Sequence, residues 1–440
     1  MWKRITVTGL VLVLLLSGCG AETETSAGGS EASVRTASVT RDAVVTMEET
    51  VEDPAAEPVE QGGVVRLASQ FEVTGLEDFI TTFQDQNPAW TVEQEVLTQE
   101  ELNLRLAAGD APDLIDSSYD NVNVLCRKGF LTDLGQRLDG EPDMDPADFV
   151  HLELMERCGG LYQAPMGFAM EVVLALEEVY GVYDPWDFAA FTDAMAAADS
   201  PQAVAGNMTA TGFVAQFLQG YCSEYVDYSN GTAQFDTEQF RRLLETARAI
   251  DLDADDPNVE GFSAQMPAVE RFQQNPYALM VEYVSCIDSS IPLGSYKQLC
   301  ATYGGLPVMY RGFPSENGGN GTILRFSGCV SLCTQAVEPE GAWAFVRFAM
   351  TDLDAQAEQE GFPIYRPALE RQIETSKLAE EQAADLLELI DGAADASGYE
   401  GEVTGLVLEE AERYFAGQQD LDTTVASIQS RVTIYLAEQS

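Results

Sequence analysis

The chain has 440 residues and a formal charge of -50, from 23 basic and 73 acidic residues. A field of that sign repels phosphate backbones and anionic lipid surfaces, which excludes nucleic acid as a partner and membrane attachment through charge. Apolar residues make up 45 % of the chain, enough to bury an ordinary core, and the length predicts two domains.

In chain order, Lys3 and Arg4 come first, then an apolar run from Val7 to Leu16, then Leu16-Ser17-Gly18-Cys19. A basic start, about ten apolar residues and a small-residue cleavage point form a secretory signal, too short to span a bilayer. A cysteine at that point, preceded by Leu-Ser-Gly, resembles the lipobox of bacterial lipoproteins. The resemblance implies cleavage after residue 18, acylation of Cys19 and a place on the extracytoplasmic face of the cell membrane, held by lipid alone. Residues 20–61 are rich in Ala, Glu, Thr, Ser and Gly and poor in large apolar side chains. Such a stretch buries too little to fold and reads, with Cys19, as an acidic tether. About 380 residues remain for a globular body.

Val64–Ala68 is the first predicted strand. Leu76–Asn87 follows as a helix with Leu76, Phe79, Ile80 and Phe83 on one face, ended by Asn87-Pro88. Trp90–Leu97 alternates as a second strand, Glu100–Ala108 is a helix with Gly109 at its C-cap, and Pro112–Ile115 begins a third strand. Strand, helix, strand, helix, strand argues for a doubly wound parallel sheet. Further on, helices are predicted at Trp186–Ala198, Thr237–Ile250 and Pro339–Met350, and strands at Ala278–Val284 and Gly305–Met309. The chain from about Ser376 is nearly all helical, and no internal repeat is present.

Seven cysteines remain besides Cys19, an odd number that leaves at least one thiol or an intermolecular link. Cys329 and Cys333 are too far apart on an extended strand to bridge. The single histidine, His151, and the absence of a C-x-x-C pair leave no metal site, and no cofactor is called for. Asp251, Asp253 and Asp255 have the 1, 3, 5 spacing of a calcium loop, but Asp256 and Phe262 stand where glycine and glutamate belong. No catalytic signature is present, and a histidine-based triad would rest on His151 alone, which packs or lies at the surface. Trp90, Trp186 and Trp343 read as core.

An ordered series of segments resembles the family 1 extracellular solute-binding proteins, the maltose-binding-protein-like sugar-binding components of ABC importers. The segments are Leu104 to Leu114 (LRLAAGDAPDL), Gly129 to Leu134 (GFLTDL), Gly160 to Pro165 (GLYQAP), Asp184 to Phe188 (DPWDF) and Tyr277 to Met280 (YALM). Gly341 to Phe348 (GAWAFVRF), Gly361 to Arg366 (GFPIYR), Tyr414 to Gly417 (YFAG) and Ile428 to Arg431 (IQSR) complete the series. Together they cover about residues 64–436. The chain departs from the pattern at Met170–Ala175 and at Glu282-Tyr283. The resemblance implies an α/β, two-lobed, periplasmic-binding-protein-like (type 2) fold with a hinge and an interlobe cleft. Lobe one would comprise 62–168 plus 287–355, and lobe two 169–286 plus 356–440.

Ligands of such sheets sit beyond the C-terminal strand ends. That rule, with the crossover and the second-crossover turn, selects Gln70, Tyr119, Asp120, Tyr162, Tyr225, Glu282, Tyr283, Tyr303, Tyr365 and Arg366. Aromatic rings stack on the apolar faces of a pyranose, and carboxylates accept from its hydroxyls. For each tyrosine the competing reading is a core or rim aromatic, and for each acid a solvated surface charge. The expected activity is capture of a saccharide by a membrane-anchored monomer and delivery to ABC permease subunits. A binding lipoprotein for a peptide, polyamine or cation is the alternative, and a glycan-active enzyme the third class.

Overall fold

The computed structural model describes residues 62–72, 75–118, 122–142, 144–198, 208–228, 230–250, 268–288, 294–314, 319–397 and 401–438. Cys19, the tether, Tyr119, Asp120 and the Asp251–Phe262 segment lie outside the described residues.

The strands used below are β1 (Gly63–Ser69), β2 (Trp90–Val96), β3 (Leu114–Asp116), β4 (Gly167–Leu176), β5 (Met280–Val284), β6 (Val308–Tyr310), β7 (Ile323–Ser327), β8 (Val330–Leu332), β9 (Phe362–Pro363) and β10 (Asp395–Ala396). The helices are α1 (Glu77–Gln86), α2 (Gln99–Ala108), α3 (Val122–Arg127), α4 (Phe188–Ala197), α5 (Ala210–Tyr225), α6 (Glu238–Arg248), α7 (Ala268–Gln274), α8 (Tyr296–Tyr303), α9 (Pro339–Thr351), α10 (Arg366–Ser376), α11 (Glu380–Asp391), α12 (Gly401–Phe415) and α13 (Leu421–Glu438).

Two sheets organise them. The first has the order β8-β3-β1-β2, with β1 parallel to β2 and β3 and with β8 antiparallel to β3. Alternation along its strands separates two faces. Val65, Leu67 and Leu114 pack with Phe79 and Phe83 of α1 and Phe345 and Val346 of α9. Ala68 and Ile115 pack with Leu102 and Leu106 of α2 and Leu125 of α3. This is the doubly wound layout that the helix and strand periodicity predicts. Local chemistry sets the helix ends. Thr98 and Glu101 form a capping box at the start of α2, and Gly109 ends it with φ +78°, a left-handed conformation that glycine adopts without steric cost.

The motif aspartate Asp113 has a structural task. It is fully buried. Its Oδ2 accepts from the Arg66 backbone N–H at 2.8 Å, and its Oδ1 accepts from Val337 and Glu338 at 2.6 and 2.8 Å. One side chain thus ties β1, the start of β3 and the entry to α9.

In the second sheet, β4 pairs antiparallel with β5, β6, β7 and β9, and β10 lies parallel beside β7. Even-numbered residues of β4 (Phe168, Met170, Val172, Leu174) join the largest apolar cluster with Tyr296 and Leu299 of α8 and Ile390 of α11. Odd-numbered Val173 and Ala175 join a second cluster with Phe188 and Phe191 of α4, Phe217 of α5, Val407 of α12 and Ile428 of α13.

The sheets meet at an antiparallel crossover. Ala164 exchanges backbone bonds with Val330 beside the first sheet, and Gly167 pairs with Ser327 in the second. Gly328, with φ +60°, lets the returning chain bend between β7 and β8. Gln356 and Gln359, on the third segment to pass this point, both donate to the Met166 carbonyl, at 2.9 and 3.0 Å. Both β6 and β7, further along the chain than β4, pair with it. The apolar run around Cys329 is two strands split at Gly328, and only the second half returns to the first sheet.

Cys126 and Cys158 form a disulfide. Cys329 and Cys333 flank β8 as buried thiols, in keeping with their strand spacing. His151 is structural: its ring sits between the Glu153 carboxylate at 2.9 Å and the Ile390 carbonyl at 2.8 Å. Trp186 and Trp343 are buried, each donating its indole N–H, to the Gly312 carbonyl and to Glu141 respectively.

Glu410 of α12 is a buried carboxylate that accepts from Arg413, Arg431 and Gln419. Burial alone would raise its carboxyl. The hydrogen bonds from Arg431 and Gln419 and the charges of Arg413 and Arg431 outweigh burial and hold it below its ordinary range near 4.5. A group depressed in the folded state stabilises above its unfolded pKa, and the contribution is lost as pH falls through the folded value. Glu410→Gln is therefore expected to lower the urea midpoint at pH 7, with the deficit shrinking as pH falls below about 4.5. An equal deficit at pH 7 and pH 3 would rule this out.

Candidate functional site

The C-terminal ends of β1 and β3 point at the crossover, as the sheet rule expects. Ser117 donates its backbone N–H to the Cys329 carbonyl at 2.8 Å, and Cys329 donates back to Ser118 Oγ at 3.0 Å. Gln163 donates to the Ser117 carbonyl at 2.9 Å. Beside them Asp116 is buried, and burial pushes its carboxyl up against the opposing hydrogen bonds from Ser118. Gln70, just after β1, donates to Gln99 at 2.7 Å. Tyr162 is half-buried and packs on the α2 side of the first sheet.

In the second sheet, Glu282 and Tyr283 take opposite faces of β5, as consecutive strand residues must. Glu282 turns toward α7 and α8. It accepts a short hydrogen bond from the Tyr303 hydroxyl and lies 3.5 Å from Arg271, which donates to the same hydroxyl. Tyr303 is buried, and burial, reinforced by Glu282, pushes its phenol up. This closed trio holds α8 and α7 to β5, so Tyr303 serves as a packing residue instead of a ligand platform.

Tyr225 is also placed elsewhere. It is 2 % exposed in the core under α5, stacked on Phe235 at 5.4 Å with Phe240 against its edge. Its helix periodicity puts it on the same face as Tyr221 and Phe217, and that face is the buried one. Arg366 forms an ion pair with Asp391 at 2.6 Å, joining the start of α10 to the end of α11. Tyr365 is half-buried, its ring 5.9 Å from Phe149.

Tyr283 is different: its side lies half open to solvent at 50 % exposure. On the same face, directly across the strand pair, stands Glu171 of β4. Arg325 of β7 completes the set. Its Nη2 lies 2.6 Å from Glu171 Oε1, and its guanidinium carbon is 5.9 Å from the Tyr283 ring centre. Two glutamines of α5 reach down to this group, Gln216 to Glu171 and Gln219 to Arg325. The Arg325 Nε has no hydrogen-bond partner. An aromatic face beside paired donors and acceptors is a set that can hold a hydroxyl-rich molecule.

Glu171, Arg325, Gln216 and Gln219 escape the strand-end rule because they lie within elements. Their signal is in the sequence all the same. Glu171 is the one charge in Gly167–Leu176 and Arg325 the one charge in Ile323–Ser327. A charge inside an otherwise apolar strand needs a partner, and each is the other's.

Among the described residues, no three His, Cys, Asp or Glu side chains are grouped as metal ligands, and no helix is long and apolar enough to cross a membrane.

No protein-family model matches the chain, and no curated protein is similar to it. Solved structures do resemble it. The periplasmic oligogalacturonide binding protein of Yersinia enterocolitica matches with a TM-score of 0.59 at 12 % identity, over 86 % of this chain and all of its own. The sugar-binding protein MalE of Xanthomonas citri matches at 0.56 and 17 %, over 86 % of this chain and 98 % of its own. An ABC substrate-binding protein of Listeria monocytogenes, in complex with cycloalternan, matches at 0.52 and 14 %, over 86 % and 100 %. At such identities the likeness is one of fold alone, a two-lobed α/β fold of the kind that the motif series implies.

Proposed function

We propose that the protein is an extracytoplasmic solute-binding protein, anchored through Cys19, that captures a saccharide between its lobes and delivers it to the permease subunits of an ABC importer. It acts as a monomer and without covalent chemistry. The observation that carries this reading is the set Tyr283, Glu171 and Arg325, built on β4 and β7, the two strands that continue into the crossover. A ligand held there touches the strands about which the lobes turn, so binding and closure are coupled. The named ligands of the structural neighbours, oligogalacturonide and cycloalternan, are saccharides. Gln70, Tyr162 and Tyr365, with Tyr119 and Asp120, remain candidates for further contacts, and Glu282 contributes by fixing β5.

The test is a thermal-shift screen of the purified protein against monosaccharides, oligosaccharides, amino acids, peptides, polyamines and divalent ions. A ligand bound only by the folded state raises the melting temperature by mass action. One saccharide class is expected to do so. Tyr283→Ala should weaken its binding about tenfold, the loss of a single stacking platform. Shifts with peptides, polyamines or cations alone would overturn the saccharide assignment. The anchor is tested separately, by palmitate labelling in cells that Cys19→Ala abolishes.

A further inference from the structure

An apolar cavity adjoins the polar set. Glu171 faces Tyr283 across β4 and β5, and two residues further from the crossover, on the same face, Val173 faces Val281. The two valines line a cavity closed by Phe191 of α4, Phe213 and Phe217 of α5, and Phe313. Gln216 is the one polar side chain in the described lining, and its amide donates to Glu171 at 2.5 Å. The cavity therefore adjoins the polar set, with Gln216 as the shared wall. Its volume of about 30 Å³ holds roughly two waters' worth of atoms. That is too little for a sugar ring and enough for a methyl with its attached carbon. The walls offer no donor or acceptor beyond Gln216, so a hydroxyl placed there would lose its hydrogen bonds, whereas a methyl loses nothing.

We propose that this cavity is a subsite for a small apolar substituent of the ligand, the methyl end of an acetamido or O-acetyl group, and that the protein selects acylated sugars over their unsubstituted counterparts. The proposal rests on the saccharide reading above. The sugar ring would lie against Tyr283 with its hydroxyls toward Glu171 and Arg325, and the acyl group would enter between Gln216 and Val281.

Titration calorimetry on matched pairs tests it: N-acetylglucosamine against glucose, N-acetylgalactosamine against galactose, and N,N′-diacetylchitobiose against cellobiose. The acetylated member of at least one pair is expected to bind about tenfold tighter or more, since each buried methyl contributes about fourfold and the excluded hydroxyl adds to the gap. Val281→Met, which fills the cavity from the strand side, should abolish that preference and leave the unsubstituted sugar within twofold of its original affinity. Should Val281→Met lose its cooperative melting transition, Phe213→Trp fills the same space from α5 and carries the same expectation. Equal affinity within each pair, or a preference that survives filling, overturns the subsite and leaves saccharide capture standing. Binding of none of the six sugars overturns the subsite, and saccharide capture then stands or falls with the wider thermal-shift screen.

Discussion

Asp113→Ala is expected to destabilise the protein by about 3–5 kcal/mol, more than any other single polar substitution described above. The carboxylate is fully buried, and three backbone N–H groups, of Arg66, Val337 and Glu338, donate to it. Alanine leaves those donors in a dry site, and each orphaned donor costs about 1–3 kcal/mol. The effect is set by strand and helix placement, so it should appear as a lower urea midpoint with an unchanged slope. Asp113→Asn separates the contributions. One amide oxygen can still serve Val337 and Glu338, but the NH₂ then faces the Arg66 N–H, so an intermediate loss is expected. A loss under 1 kcal/mol for the alanine variant would show that water replaces the carboxylate and that the three segments are held by packing alone.

Removal of the Cys126–Cys158 bridge is expected to cost about 4 kcal/mol at most. The bridge closes a loop of 32 residues, and loop-closure entropy for that length gives roughly this value. The bridge fastens α3 to the chain that leads into the crossover, so its loss acts on the first lobe. The double variant Cys126→Ala/Cys158→Ala should unfold at lower urea than the oxidised protein and be indifferent to reductant. The oxidised protein should fall to the same midpoint when reductant is added. A reductant effect of equal size on both would assign the change to some other sulfur chemistry.

Much of the architecture follows from local rules. The capping box at Thr98, the left-handed Gly109 and the α1 stripe of Phe79, Ile80 and Phe83 each draw on residues within one or two turns, and such signals are complete within a short window. The second lobe is harder. Gly167–Leu176 is buried on both faces, so it lacks the alternation that marks a half-exposed strand. The continuity of β7 into β8 through Gly328 hides which sheet each half joins, because that choice depends on partners more than a hundred residues away. The site divides in the same way. Tyr283 is legible as an aromatic next to a strand end. Tyr225 and Tyr303 have the same chemistry, yet one is claimed by Phe235 and the other by Glu282 and Arg271. Residue type gives capability, and tertiary neighbours decide whether it is spent inside the core. Glu171 and Arg325 show the converse, since a charge without local justification in an apolar strand marks a pair that the fold must bring together.

The position of β8 has a consequence for how the chain matures. The first sheet takes its fourth strand, and Asp113 two of its three donors, from residues that lie beyond the whole of the second sheet's first pass; Asp113 and Val337 are 224 positions apart. A ribosome adding about 5–20 residues per second needs on the order of ten to forty-five seconds to cover that distance. Until then β3 lacks its β8 partner, and of the three donors to Asp113 only the Arg66 N–H has been made. Completion of the first sheet is thus tied, through β8 and the entry to α9, to chain made long after β1, β2 and β3.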